Sequence, residues 1–93
     1  MPPKYKPLSV KDLAALKENL GLSNPQMADL FGLTPDNWRK YTGGKEPRPV
    51  SLQMLFFAAA RLELDDATIT RILERMRRLG AQIDLAPDGE RQP

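Results

Sequence analysis

The chain has 93 residues, 41% of them hydrophobic and 28% charged, a balance typical of one globular domain with its own core. It contains neither cysteine nor histidine, which excludes disulfides, zinc–thiolate sites, cysteine nucleophiles and imidazole acid–base chemistry. The net charge is only +2, but residues 1–61 carry nine basic against five acidic side chains and residues 62–93 five against seven. The first part of the chain is therefore better suited to contact phosphates.

The apolar residues from 9 to 80 recur at steps of three and four, which predicts an all-α fold of five helices. Residues 1–8 are predicted to be a flexible basic arm and residues 81–93 a tail, in which residues 82–85 have a strand-like alternation too short to decide. The arm has no apolar signal region, and no segment approaches the ~18 apolar residues of a membrane span. We expect a cytoplasmic protein that contacts no membrane and needs no cofactor.

The first helix is predicted to begin after Ser9, whose hydroxyl can accept a hydrogen bond from the amide of Asp12. It continues to about Leu20, because Gly21 then ends it. Its buried face is expected to consist of Leu13, Leu16 and Leu20.

The second and third helices have equally clear start signals. Ser23 and Gln26 form a second capping box, and Gly32 ends that helix. The third helix has Thr34 as its cap and Pro35 at its first position, and a Gly-Gly pair stops it after about two turns.

The fourth helix follows a loop in which Pro47 and Pro49 forbid helix, and Ser51 caps it. It is almost entirely apolar. The side chains predicted to point inward are Leu52, Leu55, Phe56, Ala59 and Leu62.

The fifth helix is predicted to begin near Asp65 and Asp66 and to end in a basic last turn, an arrangement that suits the helix dipole. It carries an apolar stripe, which we predict to be a homodimer interface, possible extensions being Ile83 and Leu85. The stripe consists of Ile69, Ile72, Leu73, Met76 and Leu79. The alternative is that it packs on the fourth helix within one subunit, and both uses can hold together.

The most informative pattern combines Ala28, Gly32, Leu33, Trp38 and Tyr41. Two helices that cross through a short turn need a small residue where their backbones approach, which Ala28 supplies. The turn needs a residue that accepts a positive φ, which Gly32 provides. Trp38 and Tyr41 are three residues apart and share one face of the third helix, predicted to be buried.

This run resembles the helix-turn-helix of phage-repressor-like (XRE-type) transcriptional regulators, and the resemblance covers residues 9–62. It implies a helix-turn-helix formed by the second and third helices and sequence-specific binding of double-stranded DNA. A second resemblance covers residues 38–41, the Gly-rich turn, Arg48-Pro49 and residues 51–54. These are similar to small phage regulators that include anti-CRISPR-associated repressors, which implies a dimer that represses its own operon at an inverted repeat.

The side of the third helix opposite Trp38 is predicted to enter the major groove. Its members are Pro35, Asp36, Asn37, Arg39 and Lys40. Asn37 can pair with adenine, and Arg39 or Lys40 can donate to guanine. Asp36 can accept from cytosine, or it can simply stabilise the helix dipole.

Phosphate contacts are expected on both sides of this helix. The amides at the start of the second helix, with Asn24 and Gln26 beside them, resemble the family's clamp on the DNA backbone. Lys45 and Arg48 lie in the loop that follows the third helix and can extend the clamp, unless they are merely solvated. The basic stretch 4–6 is either a minor-groove arm or an ordinary charged terminus.

Four other functions compete with this hypothesis. An antitoxin would bind DNA and also a protein toxin, and a helical protein-binding module would bind no DNA. An enzyme is the weakest hypothesis, because neighbouring Asp65 and Asp66 point to different sides of a helix and the chain has no phosphate-binding glycine loop. An aromatic platform for single-stranded bases is also disfavoured, since the spacing of Trp38 and Tyr41 is that of core residues.

Overall fold

A computed structural model of the chain describes residues 3–85, which contain five helices and no strand. The helices are α1 (Val10–Leu20), α2 (Asn24–Leu30), α3 (Pro35–Thr42), α4 (Leu52–Glu63) and α5 (Asp66–Arg78). The predicted all-α class is thus confirmed, and residues 82–85 form no strand. The first two residues of the predicted arm and residues 86–93 of the predicted tail lie outside the described part. None of the described helices has the length and apolar character to cross a bilayer.

The starts of α1 and α2 are fixed by the predicted capping boxes. The amide of Asp12 donates to Ser9 Oγ at 3.1 Å, and the amide of Ser9 donates back to Asp12 Oδ2 at 2.9 Å. The same exchange joins Ser23 and Gln26, at 3.3 and 2.8 Å. Hydrogen bonds from the backbone and side chain of Ser9 lower the pKa of Asp12 from its ordinary value.

The other three helices begin with single side-chain caps. Thr34, Ser51 and Asp65 each accept a hydrogen bond from the backbone amide three residues later, at 3.2, 3.1 and 2.8 Å. Each bond satisfies one of the amides that lack a partner in the first turn of a helix. The predicted starts of all five helices are therefore confirmed.

The described part of the chain separates into two compact units, the first ending at Ala59 and the second beginning at Ala60. The core of the first unit combines residues of α1, α2, α3 and α4 with the loop residue Val50. The buried residues are Leu13, Met27, Ala28, Leu30, Phe31, Trp38, Val50 and Ala58. Leu16, Leu20, Leu33 and Tyr41 are partly buried against this core. The predicted inner face of the first helix is therefore confirmed.

The predicted inner face of α4 is wrong at three of its five positions. Phe56 is 73% exposed, Leu62 is 46% exposed and Ala59 is also exposed, whereas Ala58 and Arg61 are buried. The half-buried side chains at the start of α4 are Leu52, Met54, Leu55 and Phe57. In a helix that is apolar on nearly every side, periodicity does not show which side faces the core.

In the second unit, the apolar stripe of α5 divides between buried and exposed positions. Leu73 is buried, Ile69 and Met76 are half-buried, and Ile72 and Leu79 are exposed. After α5 the chain is fixed by the guanidinium of Arg77, which donates to the Ile83 carbonyl at 3.2 and 2.9 Å.

Candidate nucleic-acid interface

The turn between α2 and α3 sets the relative direction of the two helices. Ala28 is completely buried, and its carbonyl accepts the amide of Leu33 at 2.8 Å, while Gly32 donates to the Asp29 carbonyl at 3.0 Å. This pair of bonds is the Schellman arrangement, in which the residue at the Gly32 position must have a positive φ. Gly32 has φ +74°, and a Cβ added there would lie 3.1 Å from the ring of Phe57. The positive φ favours glycine, and any larger residue would also have to displace the edge of the Phe57 ring by a few tenths of an ångström.

The inner side of α3 is held by its tryptophan. Trp38 is 1% exposed, and its ring lies 5.1 Å from that of Phe31, centroid to centroid, at an interplanar angle of 32°. Tyr41, one turn later, is half-buried against the same core. The indole Nε1 has no hydrogen-bond partner within the described part of the chain. Burial of Trp38 fixes the rotation of α3 about its axis, because a helix can turn only one side inward.

The opposite side of α3 consists of exposed polar residues. All nine residues predicted to contact DNA are exposed, five of them on α3. They are Asn24, Gln26, Pro35, Asp36, Asn37, Arg39, Lys40, Lys45 and Arg48. Gln26 also completes the cap of α2, so its side-chain oxygen is already engaged.

Two of these residues form an ion pair that the sequence analysis did not predict. A terminal nitrogen of Arg39, Nη2, donates to Asp36 Oδ1 across one turn of α3. Both side chains remain largely exposed, Arg39 at 71% and Asp36 at 82%. The signal for this pair was present in the sequence, since opposite charges three residues apart on a helix are neighbours.

The loop that carries Lys45 and Arg48 is attached to the end of α3. The backbone amide of Arg48 donates to the carbonyl of Lys40 at 2.8 Å. That carbonyl belongs to the last turn of α3, where carbonyls lack helical partners. The bond attaches the loop, at Arg48, to the C-terminal end of α3.

The N-terminal segment is attached close to the same loop. The hydroxyl of Tyr5 donates to the Val50 carbonyl at 2.7 Å, and Val50 itself is buried. Sequence reasoning missed this contact, since its partners are 45 residues apart and no local pattern joins them. Lys4 and Lys6, on either side of Tyr5, are exposed.

The chemistry available on this surface is that of hydrogen bonding and charge. Among residues 3–85, no group of three or more His, Cys, Asp and Glu side chains could hold a metal ion.

Comparison of the chain with models of protein families, with curated proteins and with solved structures gives no match.

Proposed function

We propose that the chain is a helix-turn-helix protein that binds double-stranded DNA sequence-specifically, with α3 in the major groove. The observation that carries this proposal is the division of α3 into two sides. Trp38 is buried on one side, and Asp36, Asn37, Arg39 and Lys40 are exposed on the other. Amide, guanidinium and ammonium groups on a narrow helix are the groups that distinguish base edges in the major groove.

More particularly, we propose a dimeric repressor that acts on its own operon at an inverted repeat, with no catalytic activity. This step depends on the sequence resemblance described above. The length of α3 also favours a dimer, because its eight residues extend only about 12 Å and reach few base pairs. A second copy on a half-site one helical turn away supplies the missing specificity. The exposed Ile72 of α5 and the exposed Leu79 that caps it support a protein interface there.

The experiment that tests the proposal is a binding-site selection from random double-stranded DNA. The expected product is a palindrome whose half-sites are about 10 base pairs apart, centre to centre. A pool that stays random after repeated rounds would contradict sequence-specific binding. A single asymmetric site would retain DNA binding and exclude the symmetric dimer.

Paired charge variants assign the interface to α3. Lys40→Ala and Lys11→Ala each remove one exposed positive charge, the first from α3 and the second from α1. We expect Lys40→Ala to weaken binding to the selected site by about fivefold or more, with little change for Lys11→Ala. Equal losses would show that binding depends only on total charge.

The dimer is tested by replacing one exposed apolar side chain. Leu79 at the C-terminal cap of α5 is 79% exposed and Val10 on α1 is 40% exposed, so Leu79→Gln and Val10→Gln are a matched pair of changes that leave the charge unaltered. Only Leu79→Gln is expected to lower the mass measured by light scattering. If the wild-type chain is a monomer at tens of micromolar, the α5 interface is refuted and the antitoxin hypothesis, with a toxin on α5, becomes the better one.

A further inference from the structure

The ion pair on α3 changes the expected role of its acidic residue. Asp36 follows Pro35 in the first turn, and its Oδ1 accepts a hydrogen bond from Arg39 Nη2. Lys40 is also one turn away from Asp36, but the described contact is with Arg39. The acid that could read cytosine therefore already accepts one hydrogen bond, through one of its two oxygens, from a neighbour on the same helix.

We infer that Asp36 is a positioning residue, which holds Arg39 in the orientation that reads a guanine, and that Asp36 itself contacts no base. This inference rests on the proposed function, because it assumes that the exposed side of α3 meets the major groove. It names Arg39 as the main specificity residue and guanine as the base that it reads.

The donor count of arginine permits both contacts at once. A guanidinium has five N–H donors in a fixed planar fork, and the bond to Asp36 uses one of them. Recognition of guanine O6 and N7 needs two parallel donors, which the rest of the fork can supply. A lysine at this position would have three donors on a single nitrogen and could not present two parallel donors to guanine while it also bonded to Asp36.

The pair restricts the side chain of Arg39 before DNA binds, so less conformational entropy is lost on binding. Fixing a long side chain at an interface lowers the binding affinity by about twofold to tenfold per residue. A side chain that is already oriented recovers part of that affinity. The pair contributes little to folding, since both partners are exposed and a surface ion pair is weak. Its effect should therefore appear in base discrimination.

Charge gives a second reason against direct reading by Asp36. A lone carboxylate at the DNA surface is repelled by the phosphates, whereas a carboxylate paired with a guanidinium forms a neutral unit. The pair then brings Arg39 to the groove without an uncompensated acid.

The test measures, for each variant, the affinity for the selected site and for every single-base substitution of it. The variants are Asp36→Ala, Asp36→Glu, Arg39→Ala and the double variant Asp36→Ala/Arg39→Ala. Glu18→Ala is the matched control, because Glu18 is exposed on α1 and its loss changes the net charge equally. Circular dichroism and the melting temperature establish that each variant is folded.

We expect Asp36→Ala and Arg39→Ala to reduce discrimination at the same G·C pair. The loss for Asp36→Ala should be about twofold to fivefold, because an exposed ion pair is worth at most about 1 kcal/mol, and it should disappear in the Arg39→Ala background. Asp36→Glu should retain much of the discrimination, because the longer acid still reaches Arg39. Glu18→Ala should change overall affinity alone.

Three results would overturn the inference. Loss of preference at a different base pair, additive with Arg39→Ala, would show that Asp36 reads a base directly. Unchanged discrimination in Asp36→Ala would reduce the pair to a surface contact. Equal effects of Asp36→Ala and Glu18→Ala would assign the change to net charge. Wild-type protein without sequence preference is a separate result, since it refutes the proposed function itself.

Discussion

Replacing Gly32 with alanine should destabilise the protein for two reasons that the structure separates. A side chain in the left-handed conformation costs about 1–2 kcal/mol. The new Cβ would also lie 3.1 Å from Phe57 Cε2, and moving the edge of a half-buried ring costs about 1 kcal/mol more. The free energy of unfolding should therefore fall by about 2–3 kcal/mol in Gly32→Ala, as measured by urea denaturation.

Gly21→Ala is the matched control for this prediction. Gly21 ends α1 in the same Schellman arrangement, with φ +66°, but nothing lies within 4 Å of the position of its Cβ. Gly21→Ala should lose only the conformational part. The cost of Gly32→Ala should fall to the same value when it is measured in a Phe57→Leu background, where the clash with the ring is absent. If the two glycine variants agree to within about 0.3 kcal/mol, the packing argument is refuted.

Three further predictions concern single contacts. Tyr5→Phe removes the hydrogen bond to the Val50 carbonyl and should lower the free energy of unfolding by about 0.5–1.5 kcal/mol in urea denaturation; no change would mean that the segment is not held there. Trp38→Ala should cost about 3–5 kcal/mol in the same assay, because it empties a buried site, and a loss under about 1 kcal/mol would contradict that burial. Hydrogen bonds from the hydroxyl and amide of Thr68 lower the pKa of Asp65 from its ordinary value of 3.8. The melting temperature of the wild type should therefore exceed that of Asp65→Ala by its full amount above pH 3.8, and the difference should vanish as the pH falls through the lowered pKa. A difference that persists in stronger acid would contradict this.

The helix boundaries were predictable because they depend on residues close together in the sequence. Ser9 and Asp12 are three residues apart, as are Ser23 and Gln26, and the chemistry that joins them is local. The turn at Gly32 is equally local. In contrast, the orientation of α4 depends on what the rest of the chain places around it, and the inward position predicted for Phe56 was wrong.

The contacts around the candidate site show the same limit. The bond from Tyr5 to Val50 and the bond from Arg48 to Lys40 both join segments that no short motif connects. The pair of Asp36 and Arg39 has a local signal, but that signal competes with the assignment of each residue to a base. Spacing alone does not show which of these contacts forms.

The two sides of α3 have separable effects on stability and on the proposed binding. Trp38 is buried against Phe31, so changes there alter folding first and any DNA affinity only as a consequence. Arg39 and Lys40 are exposed, so their loss should leave the melting temperature almost unchanged. A variant that keeps its stability and loses discrimination at one base pair must therefore have lost a contact of the exposed side. This separation is what makes the proposed interface testable residue by residue.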